Sequence, residues 1–246
     1  MKRIVVALAL ALSGPLAVAQ TQGVTKDRIV VGSLLDLSGP LAGFGKQLRS
    51  GMTLRTEELN EQGGVNGRRL ELLIEDDGYD PRKAVLGAQK LVNQDKIFAM
   101  VGHLGTAPNM AAMPVQFEKN VINFFPITAA REMYEPFHRL KYAFAATYYD
   151  QVRQATPQLV KQKGAKKVCT VYQDDEFGLE VLRGTEAGLK TIGMELAEKT
   201  TYKRGATDFS SQVARMKAAG CDFVVLGTVI RETIGVIGES RKTGFN

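Results

Sequence analysis

The sequence predicts an α/β fold made of two doubly wound parallel-sheet lobes, and three observations lead to this fold class. Short apolar runs alternate with longer amphipathic segments, a pattern typical of parallel strands covered by helices. This rhythm breaks at residues 131–147 and then restarts, which indicates a boundary between two lobes. The length of 246 residues leaves room for two lobes of ordinary size. We place lobe 1 at residues 27–145 and lobe 2 at residues 146–246.

Lobe 1 begins with a strand at residues 29–35, which is apolar throughout and should therefore be buried on both faces. Several glycines and a proline predict an irregular loop at residues 36–45. Asp80 and Pro81 stand where a helix cap and a first helical residue belong. The remaining predictions for lobe 1 are helices at residues 46–62, 81–93 and 108–118, and strands at residues 70–75, 97–101 and 121–125.

Lobe 2 shows two clear helix stops. The predicted helix over residues 150–163 ends at Gly164, and the one over residues 208–219 ends at Gly220. The remaining predictions for lobe 2 are helices at residues 176–192 and 232–243, and strands at residues 167–172, 195–202 and 223–226. Strands that alternate with helices of this length imply a second parallel sheet with helices on both faces.

Residues 1–19 have the pattern of a secretory signal peptide. Lys2 and Arg3 form the positive start, residues 4–12 are an unbroken apolar run, and a small-residue cleavage site ends at Ala19. The apolar run is too short to span a bilayer as a stable helix. We therefore expect cleavage near Ala19 and a mature chain that works in the periplasm.

Composition and charge narrow the possible functions. The net charge of +6 is spread along the chain without basic clusters that interleave with aromatic residues, so no nucleic-acid partner is expected. If the chain is exported, Cys169 and Cys221 lie in an oxidising compartment. Both fall in or beside predicted strands, and either a disulfide or two small buried thiols fits the sequence.

Catalytic and cofactor motifs are not evident. The loop at residues 40–47 has its first glycine out of place for a phosphate loop and lacks the third glycine of a dinucleotide fingerprint. His103 and His138 are too few and too far apart to suggest a histidine metal site. Acidic groups at residues 75–77 and 174–176 could hold a hard cation or cap the following helices. The sequence predicts no enzyme, no cofactor and no metal.

The loop at residues 102–109 is the strongest candidate for a ligand site. It follows a strand and opens a helix, and ligands of open α/β sheets bind at the carboxyl ends of the strands. Thr106 can offer a hydroxyl, and the backbone N–H groups of Thr106 and Ala107 should point outward beside it. Together these groups suit a carboxylate. Thr106 could instead be only a helix N-cap, or could serve in both ways.

Several further segments occur together in this chain: residues 37–40 (Leu-Ser-Gly-Pro), residues 74–77 followed by Asp80-Pro81, residues 101–104, Pro126, and residues 173–178. With these segments the chain resembles the leucine/isoleucine/valine-binding protein family, type I periplasmic binding proteins that serve as solute receptors of ABC importers. The resemblance covers nearly all of the mature chain. It implies two lobes joined by a hinge with the ligand between them. It also implies that the fold is incomplete at the C-terminus, because the family continues beyond Asn246.

The resemblance also implies roles for individual residues. Thr106 matches the hydroxyl residue that grips the ligand's carboxylate, and Phe44 matches an aromatic that covers the ligand. Ile127 stands where a backbone carbonyl accepts from the ligand's ammonium. Ala129 stands where the family has a threonine, although Thr128 lies next to it.

Other positions depart from the family. Phe177 and Val229 stand where amino-acid receptors often have tyrosines, and Tyr79 and Gly105 occupy the positions of a family disulfide in lobe 1. These departures favour a ligand with a carboxylate and an apolar or aromatic body. Arg231 could add positive charge to the cleft or be a solvated helix start.

Aromatic residues could surround such a ligand or simply pack the lobes; they are Phe44, Tyr148, Tyr149 and Phe177. The candidate ligand-binding set is Phe44, Thr106, Ala107, Ile127, Thr128, Ala129, Tyr149, Phe177, Val229 and Arg231. The sequence thus predicts an exported solute-binding receptor of a branched-chain-amino-acid-type ABC importer. Its partners would be a small carboxylated ligand (a hydrophobic amino acid or an aromatic or aliphatic acid) and the membrane permease and ATPase subunits. The alternatives are a periplasmic ligand-sensing module for a signalling partner, and an enzyme.

Overall fold

The computed structural model describes residues 21–245, and the predicted signal peptide lies outside the described residues. The strands are β1 (Arg28–Leu35), β2 (Arg69–Asp76), β3 (Ala99–Val101), β4 (Ile122–Phe124), β5 (Lys141–Tyr142), β6 (Val168–Gln173), β7 (Glu198–Tyr202) and β8 (Phe223–Gly227). The helices are α1 (Ala42–Glu61), α2 (Pro81–Gln89), α3 (Thr106–Glu118), α4 (Tyr148–Lys163), α5 (Glu176–Lys190), α6 (Ser210–Ala219) and α7 (Ile230–Lys242).

These strands form two sheets. The first has the order β2-β1-β3-β4-β5 and the second the order β7-β6-β8. All strand pairs in both sheets are parallel, so each strand is joined to the next through a crossover. The predicted α/β fold with parallel sheets and flanking helices is confirmed. The two sheets lie on either side of residue 145, and the boundary between the lobes at that residue stays a prediction.

The core of lobe 1 lies between its sheet and the helices α2 and α3. Val30 and Leu34 occupy alternate positions of β1 and pack in one buried cluster with Ala88 and Leu91, while Ala112 adds a contact from α3. Helix α1 contacts strands β1 and β2. Successive side chains of β1 point to opposite faces of the sheet. The strand can therefore pack against α2 and α3 on one face and against α1 on the other.

The core of lobe 2 has the same layered plan with a covalent addition. Val171 on β6 packs with Val213 and Met216 of α6. Cys169 of β6 forms a disulfide with Cys221, with the two Cα atoms 5.9 Å apart. The structure therefore selects the disulfide from the two alternatives that the sequence left open.

Helix α1 begins at Ala42, so the prediction of an irregular loop through residue 45 was wrong. The Asp36 carboxylate holds the turn before the helix, because its Oδ2 accepts a hydrogen bond from the amide of Leu41 at 2.7 Å. A Cβ at Gly45 would lie 1.9 Å from the carbonyl oxygen of Asp36. Gly45 is therefore a point of close approach between helix and strand, and not a helix breaker.

Three other helices begin two residues before their predicted starts. They are α3, which starts at Thr106, α4, which starts at Tyr148, and α7, which starts at Ile230. Thr147 caps α4, because its hydroxyl accepts a hydrogen bond from the amide of Asp150 at 3.0 Å. Gly105 caps α3 with a φ of 96°, a conformation that favours glycine.

The segment between the lobes is less irregular than the sequence predicts. It contains a short 3-10 turn at Arg131–Met133 and strand β5, which pairs with β4 at the edge of the first sheet. The predicted stops at Gly164 and Gly220 are confirmed, since both residues end their helices in the left-handed conformation. No helix of residues 21–245 combines the length and the apolar character that a membrane crossing needs.

Candidate ligand-binding cavity

A cavity of about 550 Å³ lies between the carboxyl edges of the two sheets. Loops that follow β1, β2, β3 and β4 form its wall in lobe 1, and loops that follow β6 and β8 form its wall in lobe 2. The lining residues are Leu41, Phe44, Tyr79, Leu104, Gly105, Thr106, Ile127, Thr128, Ala129, Phe144, Ala145, Tyr148, Phe177, Thr228, Val229, Ile230, Thr233 and Ile234. This edge is where open α/β sheets bind ligands.

A pair of buried hydroxyls forms the polar part of the lobe 1 wall. The Oγ1 atoms of Thr106 and Thr128 lie 2.7 Å apart, and either can be the donor. Thr128 Oγ1 also accepts from the amide of Ala130 at 3.2 Å. Because one hydroxyl proton is used within the pair, the other hydroxyl still has a proton for a ligand oxygen.

The start of α3 adds backbone donors beside this pair. Gly105 is the N-cap, so Thr106 and Ala107 are the first two helical residues. Amides at these positions have no partner within the helix, and the helix dipole favours negative charge there. Because Gly105 is the N-cap, Thr106 does not serve as the cap of α3. Its hydroxyl instead contacts Thr128.

A second hydroxyl pair lies on the lobe 2 wall. The Oγ1 atoms of Thr228 and Thr233 are 2.5 Å apart, and both residues are partly exposed. Thr228 follows β8, and Thr233 lies one turn into α7. Ile230 and Ile234 lie on the same side of α7 because residues three and four apart share a helix face. None of these four residues was predicted to line the site. The rule that ligands bind at the carboxyl ends of parallel strands, which led to Thr106 after β3, also applies to Thr228 after β8.

Aromatic and aliphatic side chains form most of the cavity surface. Phe44 of α1 lines it from lobe 1, and Phe177 of α5 lines it from lobe 2. The rings of Tyr148 and Phe177 meet edge to face with their centroids 5.0 Å apart. Phe144, for which the sequence predicts no role, is half exposed and also lines the cavity. An apolar ligand body would find favourable contacts among these rings.

Tyr149 and Arg231 were predicted to contact the ligand but lie outside the cavity lining, and the reason is the same for both. Tyr149 follows Tyr148 by one residue in α4, so it points to a different face, where the Arg131 guanidinium lies 4.5 Å from its ring centroid. Arg231 follows Ile230 by one residue in α7, and its Nη2 donates to Glu232 at 3.0 Å. One residue is about 100° around a helix.

Of the other candidates, Ile127, Ala129 and Val229 line the cavity, whereas Ala107 is buried in α3 and does not line it. The carbonyl oxygen of Ile127 accepts from the Gly105 amide at 3.1 Å. One lone pair of that carbonyl remains for a further donor. Val229 packs in a buried cluster with residues of lobe 1 that include Leu35 and Leu104, so it contacts both lobes.

In both acidic groups named above, residues 75–77 and 174–176, aspartates accept hydrogen bonds from backbone amides. Asp76 Oδ1 accepts from the amide of Leu37 at 2.8 Å, and Asp77 Oδ1 accepts from the amide of Tyr79 at 2.8 Å. Asp175 caps α5, with its Oδ1 accepting from the amide of Phe177 at 3.1 Å. Burial raises the pKa of Asp175, although a hydrogen bond from Gln173 acts in the opposite direction. For Asp175 this supports the capping interpretation over the cation alternative.

Comparison with known proteins gives matches over nearly the whole described chain. A family model described as periplasmic binding protein matches residues 28–246. An amino acid binding protein of Pseudomonas aeruginosa is 28% identical over 204 residues, which cover 83% of this chain and 54% of that protein. The Leu/Ile/Val-binding protein of Escherichia coli is 27% identical over 95% of this chain and 64% of its own length.

Among solved structures, a fatty acid ABC transporter substrate-binding protein from Thermomonospora curvata superposes with a TM-score of 0.83. It is 27% identical to this chain, and the match covers 94% of this chain and 58% of that one. The chain therefore spans somewhat more than half the length of the proteins that it matches.

Proposed function

Because the chain belongs to the periplasmic binding protein family, we propose that it is an exported solute-binding receptor that holds a small carboxylated ligand between its lobes. The predicted resemblance to the Leu/Ile/Val-binding proteins is confirmed by the relatives that match. The observation that carries the proposal is the buried hydroxyl pair Thr106 and Thr128, which lies at the start of α3 in a mostly apolar cavity between the sheets.

The chemistry of the two cavity walls suits a carboxylate with an apolar or aromatic body. One hydroxyl proton of the threonine pair and the amides at the start of α3 can all donate to the same anionic group. The rings of Phe44, Tyr148 and Phe177 supply apolar surface next to that group. A hydrophobic amino acid, an aromatic acid and an aliphatic acid each contain both parts.

The proposed setting is an ABC importer, in which a receptor delivers its ligand to permease and ATPase subunits in the membrane. This part of the proposal rests on the family and on the superposition with a protein named as an ABC transporter substrate-binding protein. Export to the periplasm, with cleavage near Ala19, follows from the signal-peptide pattern. In this proposal the ligand is released unchanged, as expected of a receptor and not of an enzyme.

Calorimetric titration of the protein with L-leucine, phenylacetate and octanoate tests the proposal. Phenylacetamide and octanamide are matched controls, because they keep the apolar body and replace the carboxylate by a neutral group. We expect at least one of the three acids to bind. Where phenylacetate or octanoate binds, its amide should bind at least about tenfold more weakly, since a hydrogen bond to a charged group is worth more than one to a neutral group. Equal binding of the acids and their amides would contradict the carboxylate site. NMR of the recovered ligand should show no chemical change.

A further inference from the structure

Tyr79 has an unusual backbone and a central position. It follows β2 in the loop before α2, its φ is +61°, and only 4% of its surface is exposed. A bulky residue with positive φ is a conformational outlier that costs free energy unless surrounding contacts hold it. Tyr79 also lines the cavity, although the sequence predicts no role in binding for it.

The ring of Tyr79 packs directly against the loop that carries Thr106. A Cβ added at Gly105 would lie 2.5 Å from Tyr79 Cε2, so the ring fills the space next to the Gly105 backbone. Gly105 is the N-cap of α3 and precedes Thr106. The Tyr79 ring therefore supports the loop that positions the first amides of α3.

The hydroxyl of Tyr79 reaches lobe 2 through a chain of buried hydrogen bonds. Gln173 Nε2, at the end of β6, donates to the Tyr79 hydroxyl at 3.4 Å. Gln173 Oε1 accepts from the Tyr202 hydroxyl at 3.3 Å, and the Tyr202 oxygen accepts from the amide of Val229 at 3.4 Å. Val229 lines the cavity in lobe 2. Burial raises the pKa of both tyrosines, so both hydroxyls are protonated at physiological pH.

A branch of the same network reaches Phe177. Gln173 Nε2 also donates to Asp175 Oδ2 at 2.5 Å, and Asp175 Oδ1 accepts from the amide of Phe177. Arg204 of lobe 2 lies 3.3 Å from Asp175 Oδ2 and donates to the carbonyl oxygen of Tyr79 at 3.5 Å. Behind the cavity, one cluster thus joins the Gly105 loop of lobe 1 to two cavity loops of lobe 2.

We propose that Tyr79 is a positioning residue that couples closure of the two lobes to the loop that binds the carboxylate. The inference rests on the proposed function, because closure over a ligand is what it would serve. When the lobes meet, the Gln173 amide reaches the Tyr79 hydroxyl, and the ring holds Gly105 and the start of α3 in place. Opening breaks the hydrogen bond between Tyr79 and Gln173 and releases this support.

The test uses Tyr79→Phe, which keeps the ring against Gly105 and removes the hydroxyl. Stopped-flow measurement with the tightest binder among L-leucine, phenylacetate and octanoate should show dissociation about three- to tenfold faster than in the original protein, because one buried hydrogen bond of the closed state is lost. The association rate should change less than about twofold, because the bond forms only after encounter. Tyr172→Phe is the matched control, since Tyr172 precedes Gln173 in β6 and does not line the cavity.

A second variant checks that the effect passes through Gln173. In a Gln173→Met background, Tyr79→Phe should change the dissociation rate by less than about 1.5-fold, because the partner of the hydroxyl is already gone. An unchanged rate in the single variant, or the same increase in both backgrounds, would overturn the proposal. Both variants should keep the far-UV circular dichroism of the original protein.

Lobe separation in the ligand-free protein distinguishes failure of this inference from failure of the proposed function. Spin labels on cysteines placed at the exposed Arg82 of α2 and Lys242 of α7 report that separation. If the original protein binds none of L-leucine, phenylacetate and octanoate, the proposed function fails. The distribution of distances between the two spin labels then tests this inference by itself. A shift to longer distances in Tyr79→Phe but not in Tyr172→Phe supports it, and identical distributions overturn it.

Discussion

The two walls of the cavity are built differently. In lobe 1 the hydroxyl residues Thr106 and Thr128 are 2% and 6% exposed, and their hydrogen bonds are within the wall. In lobe 2 the apolar residues Ile230 and Ile234 are 52% and 67% exposed. In the proposed receptor, the lobe 1 wall is thus formed in advance for one polar group of the ligand. The lobe 2 wall leaves apolar surface exposed, which would contact a ligand body of variable shape.

The anchorage of the two walls explains this difference. The Ile127 amide donates to the His103 carbonyl, and Asn109 Nδ2 donates to the same carbonyl at 2.7 Å, so the two loops of the lobe 1 wall are cross-linked. In lobe 2 the wall includes the first turn of α7, and the strongest constraint, the disulfide between Cys169 and Cys221, lies in the core. We therefore expect local opening to cost more free energy in the lobe 1 wall than in the lobe 2 wall.

The largest expected effect comes from removing the disulfide. Changing Cys169 and Cys221 to alanine frees a loop of 52 residues in the unfolded chain. The chain-entropy relation then predicts a loss of about 4 kcal/mol in the free energy of unfolding, with about 2–4 kcal/mol typical of measured cases. Hydrogen-exchange mass spectrometry should show faster exchange in β6 and β8 and unchanged exchange in β1. Faster exchange in both lobes would contradict the expectation that the disulfide stabilises lobe 2 alone.

The next effect concerns the carboxylate. Thr106→Val keeps the shape of the side chain and removes its hydroxyl. One lost hydrogen bond to a charged group is worth about 1.5–3 kcal/mol, so the dissociation constant of the best-binding acid should rise about ten- to a hundredfold. Calorimetry measures this change.

The matched control is Thr228→Val, which removes a hydroxyl from the partly exposed pair in lobe 2. We expect a change of less than about threefold there, because a more exposed hydroxyl can exchange its partner for water. If Thr228→Val weakens binding as much as Thr106→Val does, the carboxylate site does not belong to lobe 1 alone.

A smaller effect is expected from Ile234→Ala. Ile234 is exposed and lines the lobe 2 wall, so shortening it removes apolar contact with a long ligand without opening the core. Octanoate should bind about three- to fivefold more weakly, which corresponds to about 1 kcal/mol for lost methylene contacts. The melting temperature of the ligand-free protein should stay within about 2 °C. A large drop in melting temperature would show that this residue is part of the fold and not of an adaptable wall.

The smallest effect concerns Glu180 of α5, whose Oε1 lies 3.8 Å from Arg131 Nε of lobe 1. Burial raises the pKa of Glu180, although Arg131 acts in the opposite direction. A raised folded-state pKa means that ionisation costs stability above that pKa, and this cost disappears below the ordinary carboxyl pKa. Glu180→Gln should therefore raise the melting temperature by about 1–3 °C at pH 7.5 and leave it unchanged near pH 4. A lower melting temperature at pH 7.5 would show that the contact with Arg131 outweighs burial.

Part of the site could be derived from the sequence because strand ends can be located from local patterns. Thr106 and Thr128 follow β3 and β4, and the carboxyl ends of parallel strands meet at one edge. The same rule places Tyr79 after β2, but the role proposed for Tyr79 could not be found in this way. Its contacts with Gly105 and Gln173 join residues far apart in the chain, and no local pattern reports them.

The sequence by itself determined the alternation of strands and helices, the cap of α2 at Asp80 and the helix stops at Gly164 and Gly220, because these depend on neighbouring residues. Only the tertiary structure decided where α1 begins and which side chains of α4 and α7 face the cavity. A helix start is set by contacts such as that of Asp36 with Leu41, and a shift of one residue turns a side chain by about 100°. The same tertiary packing brought Cys169 and Cys221 together and joined Tyr79 to the second lobe.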